Sequence, residues 1–456
     1  MLQTRTRPEV ICLYFAQIDY FSRQRIRLRH RALTKPEKND RHATARDYAR
    51  YVFARLALLL VVPCIATSAS AGSGYALEYD AIFEPTSGRA RVTLTVEQAT
   101  QLLRSVSFRM PADRYLNIES DSTVARDGNK VTWRPGRTGG VMSYDYVVDK
   151  QRSNGAPDAK ITPNWALLKL DHLFPSANSI AAVGAYSTTR VTLKGPAGWS
   201  IETPYGASDG ESFFVDDPNR RFDQPRGWIL AGNIAVRRDT IGEQQLSVAS
   251  PRGLGLHAND ILAFLRWTLP EMNTLLPGAP RRLLVVSGSD DMWRGGLSGR
   301  DSLYLHPGRP LVSGNRTSTL LHEVFHVFSG LRAKNGGGAD WIVEGLAEYY
   351  SIALLQRSGG ISDDRYRKGL AQLAEWSAGL SCDATDDSSG ARTAAAALVM
   401  HSLDRELRSQ SDGRHSLDTL VQTLVANGPT VTNSGFKTLA GELAGRPTLT
   451  LANCPG

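Results

Sequence analysis

The sequence predicts an α+β protein in which an N-terminal antiparallel β domain is followed by a mainly helical domain. Three observations carry that reading. From Tyr75 to about Ala249, apolar and polar residues alternate with period two in short runs between turn-rich pieces, the mark of half-buried strands. Beyond Pro251 to Gly255 the period lengthens to that of amphipathic helices. The 456 residues are 21% charged and 41% hydrophobic, which excludes collagen-like, coiled-coil and wholly disordered chains. The length suits two or three domains.

Residues 1–71 read as a basic leader ending in a signal peptide. Arg46, Arg50 and Arg55 precede an eleven-residue apolar run, Leu56 to Ala66, and the small residues Ala69-Ser70-Ala71 follow it. Positive flank, short apolar core and A-x-A end make a secretory signal cleaved near Ala71. The run is too short for the roughly 20 residues that span a bilayer, so no stable membrane span is expected after cleavage. The leader holds 13 Lys and Arg against 5 Asp and Glu, while the other 385 residues hold 40 of each sign. The whole formal excess of +8 thus lies in the leader. The body has none of the basic surplus that steers a protein to nucleic acid. A periplasmic or secreted location follows. Export removes Cys12 and Cys64 and leaves Cys382 and Cys454. In an oxidising compartment two cysteines most simply pair, with two unpaired buried thiols as the alternative.

Residues 72–252 read as the β domain, a sandwich-like array. Its strands include YALEYDAIF (75 to 83), ARVTLTV (90 to 96), KVTWR (130 to 134), SYDYVV (143 to 148), TRVTLKG (189 to 195) and WILAGNIAV (228 to 236). Trp133 and Trp228 are placed in its core. Residues 253–456 open with a helix over 258 to 276 that Pro270 is expected to interrupt. Strands at 281 to 288 and 302 to 306 follow, then helices at 317 to 332, 340 to 357, 363 to 380, 392 to 409, 416 to 426 and 434 to 444.

The chemistry is concentrated in Leu321-His322-Glu323-Val324-Phe325-His326. Residues four apart share a helix face, so both imidazoles can point at one ion, for which zinc is the usual choice. Glu323 lies about 100° around the helix from His322, beside the water such an ion would hold, where it can act as general base. A chance HExxH in this composition is on the order of 1%. Catalytic zinc takes three protein ligands and keeps one position open. Glu344, in Trp341-Ile342-Val343-Glu344-Gly345, can be the third, presented by a second helix reached through the glycine loop 336 to 338. Glu348, one turn on, can accept the free ring N–H of a ligating histidine.

HEVFH followed by W-x-x-E-G resembles the gluzincin metallopeptidases, and more narrowly the glycyl aminopeptidase family. The likeness spans roughly Leu283 to Ala444, with Arg294-Gly295-Gly296-Leu297 similar to that family's G-G-L-E-H segment. It implies a thermolysin-like zinc catalytic domain at 253–456, one zinc per chain, and a peptide or protein substrate. The chain departs from the family in three ways. Only seventeen residues separate His326 from Glu344. Ser298 and Gly299 occupy the positions of the Glu and His, and in relatives that Glu reads the substrate's free amine. No tyrosine stands near Arg392 and Thr393 to steady an oxyanion. Two functional readings follow: an exported zinc metallopeptidase with Glu323 as base, or an inactive zinc-containing scaffold on a peptidase fold.

Other residues weigh less. His401 lies on an apolar helix and reads as a core histidine. Tyr349 and Tyr350 read as core packing or oxyanion donors, His306 as a strand cap or a substrate contact, and Asp383, Asp386 and Asp387 as a solvated turn.

Overall fold

A computed structural model of the chain describes residues 74–205, 212–215, 221–382 and 390–455. The leader, the expected cleavage near Ala71 and the Asp383, Asp386 and Asp387 turn lie outside the described residues.

Strict alternation builds the first sheet. In Gly74–Glu84 the side chains of Tyr75, Leu77, Tyr79, Ala81 and Phe83 are buried and their neighbours are not, so one face of the strand makes core and the other does not. Six strands pair in the order Ser212–Val215, Tyr186–Lys194, Gly74–Glu84, Arg89–Glu97, Gly139–Val147 and Tyr115–Ser120. The sheet is mixed rather than antiparallel throughout, because Gly74–Glu84 runs parallel to Tyr186–Lys194. A hairpin cannot join parallel neighbours; they need a long crossover. Residues 85–185 supply it, building other strands on the way.

Those residues contribute to two further sheets. One has the order Ala177–Ala181, Leu103–Arg109, Lys130–Arg134 and Thr123–Asp127. The other runs Ser200–Glu202, Trp228–Gly232, Trp165–Lys169, Pro157–Ile161 and Lys150–Gln151. Trp133, Tyr144, Tyr146 and Phe174 are the largest side chains of the core they share. Helix α1 (Leu170–Leu173) follows Trp165–Lys169 directly.

A fourth sheet has the order Ile234–Ile241, Gln244–Pro251, Arg282–Val286, Ser302–Leu305 and Gly296–Gly299. It runs through the boundary expected at residue 252, since Gln244–Pro251 pairs in parallel with Arg282–Val286. The crossover between them is α2 (Ala258–Leu275). Helix α2 continues through Pro270 instead of breaking there. Pro270 and Arg266, four residues back, are both exposed, so the carbonyl that loses its partner can be hydrated.

The remaining helices are α3 (Thr319–Ser329), α4 (Asp340–Arg357), α5 (Asp363–Trp376), α6 (Ala391–Gln410), α7 (Leu417–Asn427) and α8 (Asn433–Ala444). They bury one large core with α2 and the inner face of the fourth sheet. A smaller cluster of Trp165, Leu167, Trp228, Leu230, Leu284, Val286 and Tyr304 joins that sheet to Trp165–Lys169 and its neighbour. The described residues from 74 onward form one compact unit. No helix among them is long and apolar enough to cross a membrane.

Candidate metal centre

Local chemistry sets the ends of the two helices that carry the site. Ser318 caps α3, its hydroxyl accepting from the Leu321 N–H at 3.3 Å. Gly330 closes it in the left-handed region at φ +60°. The chain then turns at Gly336 (φ +67°) and Gly338 (φ +60°), conformations that favour glycine. Asn433 holds this turn. Its Nδ2 donates to the carbonyls of Gly337 and Gly338 at 3.0 and 3.2 Å, and its Oδ1 accepts from Trp341 Nε1 at 2.9 Å. The loop is thereby tied to the first turn of α4, which lies against α3. Behind Glu344, Gly345 lets α6 come close: a Cβ there would sit 2.7 Å from the Ala396 Cβ and 3.0 Å from its carbonyl carbon.

Three potential ligand atoms converge between the helices. His322 Nε2 and His326 Nε2 are 3.1 Å apart. Glu344 places Oε2 3.2 Å from the first and Oε1 3.3 Å from the second. Zinc bonds of 2.0–2.1 Å in a tetrahedron put ligand atoms about 3.3–3.4 Å apart; one atom from each of the three residues lies within 4.8 Å of the others, so two imidazoles and a carboxylate suit that ion in type and proximity. Among the described residues, these three form the one group of His, Cys, Asp and Glu with such convergence.

Glu348 stands behind, its Oε2 3.0 Å from His322 Nδ1. Donation from Nδ1–H to this carboxylate leaves Nε2 with its lone pair toward the centre. Burial would push His322 down from its ordinary value, but its hydrogen bonds to Glu344 and Glu348 raise it well above that value. Burial pushes Glu344 up, and the opposing attraction of His326 and His322 holds it well below the carboxylate range. Glu344 and His322 thus stabilise one another's charged forms.

Glu323 is buried, yet its carboxylate forms no hydrogen bond or ion pair with a described residue. It lies against the edge strand Gly296–Gly299. A Cβ on Gly296 would come within 2.4 Å of Glu323 Cγ and 2.8 Å of its Oε1. Ser298 and Gly299 are in that same strand, with Ser298 on the Glu323 face by alternation and Gly299 turned to Trp228.

The lesser candidates fall outside this cluster. His306 is buried, with Nε2 3.1 Å from the Asp290 carbonyl and Nδ1 accepting from Gly308 N–H at 3.0 Å; it caps the strand end. Tyr350 stacks on Phe325 and donates to Asp418 at 2.8 Å. Tyr349 packs against Tyr350 and His401, and His401 Nδ1 lies 3.3 Å from Tyr366 Oη. His306, Tyr349 and Tyr350 are buried, while His401, expected in the core, is only half-buried beside Tyr366. Trp133 and Trp228 are likewise buried. Cys382 and Cys454 form a disulfide.

Sequence reasoning passed over Lys169 at the site, and it read Gly296 only as part of the segment 294–297 and not as room for Glu323. Lys169 Nζ donates to the Ser298 carbonyl at 2.6 Å and feels the charge of Glu323. Nothing local marks either role, because each depends on a partner from a distant segment.

No protein-family model matches the sequence and no curated protein matches it. Solved structures share its fold. The chain is similar to an aminopeptidase N family protein from Idiomarina loihiensis, with a TM-score of 0.60 at 17% identity over 77% of this chain and 70% of that one. It also aligns with yeast LTA4 hydrolase in complex with Bestatin, with a TM-score of 0.48 at 13% identity over 82% of this chain and 64% of that one. The first likeness establishes an α+β, aminopeptidase-like fold: a mixed, sheet-rich first half followed by a helical region.

Proposed function

We propose that the protein is an exported zinc metallopeptidase of gluzincin type that hydrolyses peptide or protein substrates in the periplasm or outside the cell. One observation carries the proposal: His322, His326 and Glu344 turn two imidazole nitrogens and one carboxylate to a common point, with nitrogens 3.1 Å apart and each within 3.3 Å of a Glu344 oxygen, and Glu323 beside them forms no hydrogen bond or ion pair with a described residue. The aminopeptidase-like fold supports it, as do the Cys382–Cys454 bond, which suits an oxidising compartment, and the charge-neutral body. The narrower kinship with glycyl aminopeptidases, and a thermolysin-like arrangement of the helical part, rest on the HEVFH and W-x-x-E-G pieces.

When bound, zinc would supply a Lewis acid for the scissile carbonyl and a water of pKa about 7. The residues of the chain do the rest. Glu348 holds the His322 ring in the tautomer that presents Nε2. Glu323, clear of competing donors, takes the proton of the attacking water and returns it to the leaving amine. Gly296 keeps room for that carboxylate.

A second reading is a zinc-containing scaffold without turnover. The burial of Tyr349 and Tyr350 in the core favours it, since neither is free to steady an oxyanion. Glu323→Gln separates the two. In the enzyme it should leave zinc content unchanged and lower peptide turnover by about 10²–10⁴, whereas His326→Ala should remove the zinc. Wild type and Glu323→Gln giving the same background cleavage of a broad peptide library would establish the scaffold.

A further inference from the structure

Lys169 ends the strand Trp165–Lys169 and reaches across to the fourth sheet. Its Nζ donates to the Ser298 carbonyl at 2.6 Å and lies 5.1 Å from the centroid of the Trp228 ring. Trp228 in turn donates Nε1 to the Leu297 carbonyl at 2.7 Å. Ammonium and indole together hold one end of the edge strand, and the other end, at Gly296, touches the Glu323 carboxylate. Gly296 and Ser298 share a face about 6.6–6.8 Å apart. Anything lying along the edge strand beside Glu323 therefore passes the Ser298 hydroxyl and comes within the field of the Lys169 charge, which itself feels Glu323.

That charge is poorly compensated. Lys169 forms no ion pair with a described residue, and of its three N–H donors one goes to the Ser298 carbonyl. Burial pushes its pKa below the ordinary lysine value, while Asp171 and Glu323 pull it back. A half-buried cation with no carboxylate in contact is incompletely compensated, and a carboxylate brought in by a ligand would improve on that. A ligand's ammonium at the same place would meet a like charge.

We infer that Lys169 is a specificity-determining residue of the site and selects peptides that carry a carboxylate side chain within about two residues of the scissile bond. The inference rests on the peptidase reading for the site's role, but it can be tested by binding alone.

The experiment uses the full, zinc-loaded chain carrying Glu323→Gln, titrated calorimetrically with N-acetylated, C-amidated hexapeptides. The peptides differ only in Glu, Gln or Lys at each central position. We expect Glu to be preferred over Gln at one position by roughly ten- to a hundred-fold, the range of a charge-assisted hydrogen bond, and Lys to be bound worst there. Adding Lys169→Met should erase the preference, and Lys169→Arg should keep most of it. Lys169→Gln, which can still donate to the Ser298 carbonyl, serves in place of the Met variant if that one fails to fold. Equal affinity for Glu and Gln peptides in the Lys169 protein would overturn the inference. So would an equal loss for every peptide on Lys169→Met, which is what a mere strut between sheets gives. Preferential binding by a wild type that hydrolyses none of these peptides would sink the peptidase reading and leave Lys169 in its role; hydrolysis without preference would do the reverse. No binding by any peptide would overturn both.

Discussion

His172 shows how much one buried imidazole can report. It sits in α1, three residues from Lys169. Burial, reinforced by the charges of Lys150 and Lys169, pushes its pKa down to about 4 from the ordinary 6.5. Between those values the unfolded chain takes up a proton that the folded chain refuses. Stability is therefore greater above pH 6.5 and is lost as the pH falls toward 4. We expect urea unfolding of His172→Gln to show a shallower decline over that window, by about 2 kcal/mol after allowing for the ring's partial exposure. Equal slopes for variant and wild type would show that the imidazole titrates alike in both states. The ligand residues differ in kind: Glu344 and His322 stabilise each other's charged forms, so their energetics belong to the pair.

Two glycines place the elements that make the site, and the same substitution should act differently at each. At Gly296 the nearest atoms an added Cβ meets are side-chain atoms of one residue, Cγ, Cδ and Oε1 of Glu323, and not backbone. That side chain can swing away at little cost to folding, but it is the proposed base. Gly296→Ala should keep the melting temperature within a few degrees while lowering turnover by about 10², the usual penalty for misplacing a reacting group by about an ångström. At Gly345 the added Cβ meets backbone atoms of Ala396 in α6, which cannot move without the helix. Gly345→Ala should cost about 1–3 kcal/mol in stability as overpacking, read as a lower denaturation midpoint, and should disturb zinc content through Glu344. A large stability loss at Gly296 with none at Gly345 would contradict both assignments. Between these two positions the edge strand and α4 define how close the base and the third ligand can come.

At the scale of the molecule, the fourth sheet and the last disulfide tie together parts far apart in sequence. Cys382 and Cys454, both buried in the helical core, close a loop of 72 residues that contains α6, α7 and α8. Lys437 of α8 also donates to the Cys454 carbonyl. In a chain-entropy treatment such a closure contributes about 4 kcal/mol. Cys454→Ser should lower the unfolding free energy by about that amount. Zinc content should be kept, because the ligands sit on α3 and α4, outside the loop. Loss of zinc together with the disulfide would mean that the bond also holds α6 in place where it backs Glu344 at Gly345.

Much of this was readable along the chain, and the reason is local. Metal ligation demands particular residue types at helical spacing, so HEVFH and W-x-x-E-G stand out without any tertiary information. The helix read over 340 to 357 is α4 residue for residue, since its apolar pattern is long and ends in clear breaks. Strands such as KVTWR also appear where alternation put them. What could not be read depends on partners. Period two is the same for a parallel and an antiparallel neighbour, so the pairing of Gly74–Glu84 with Tyr186–Lys194 was invisible. So was the sheet that runs through residue 252. Pro270 kept its helix because the lost bond faces solvent, a fact of packing and not of propensity. Lys169 and Ser298 stand 129 residues apart, and only Ser298 lies in a segment that the sequence marks. Their meeting exists only where two sheets close on one another, and the room that Gly296 leaves for Glu323 only where α3 packs on the edge strand, because a charge or a missing Cβ has no meaning until something is packed against it.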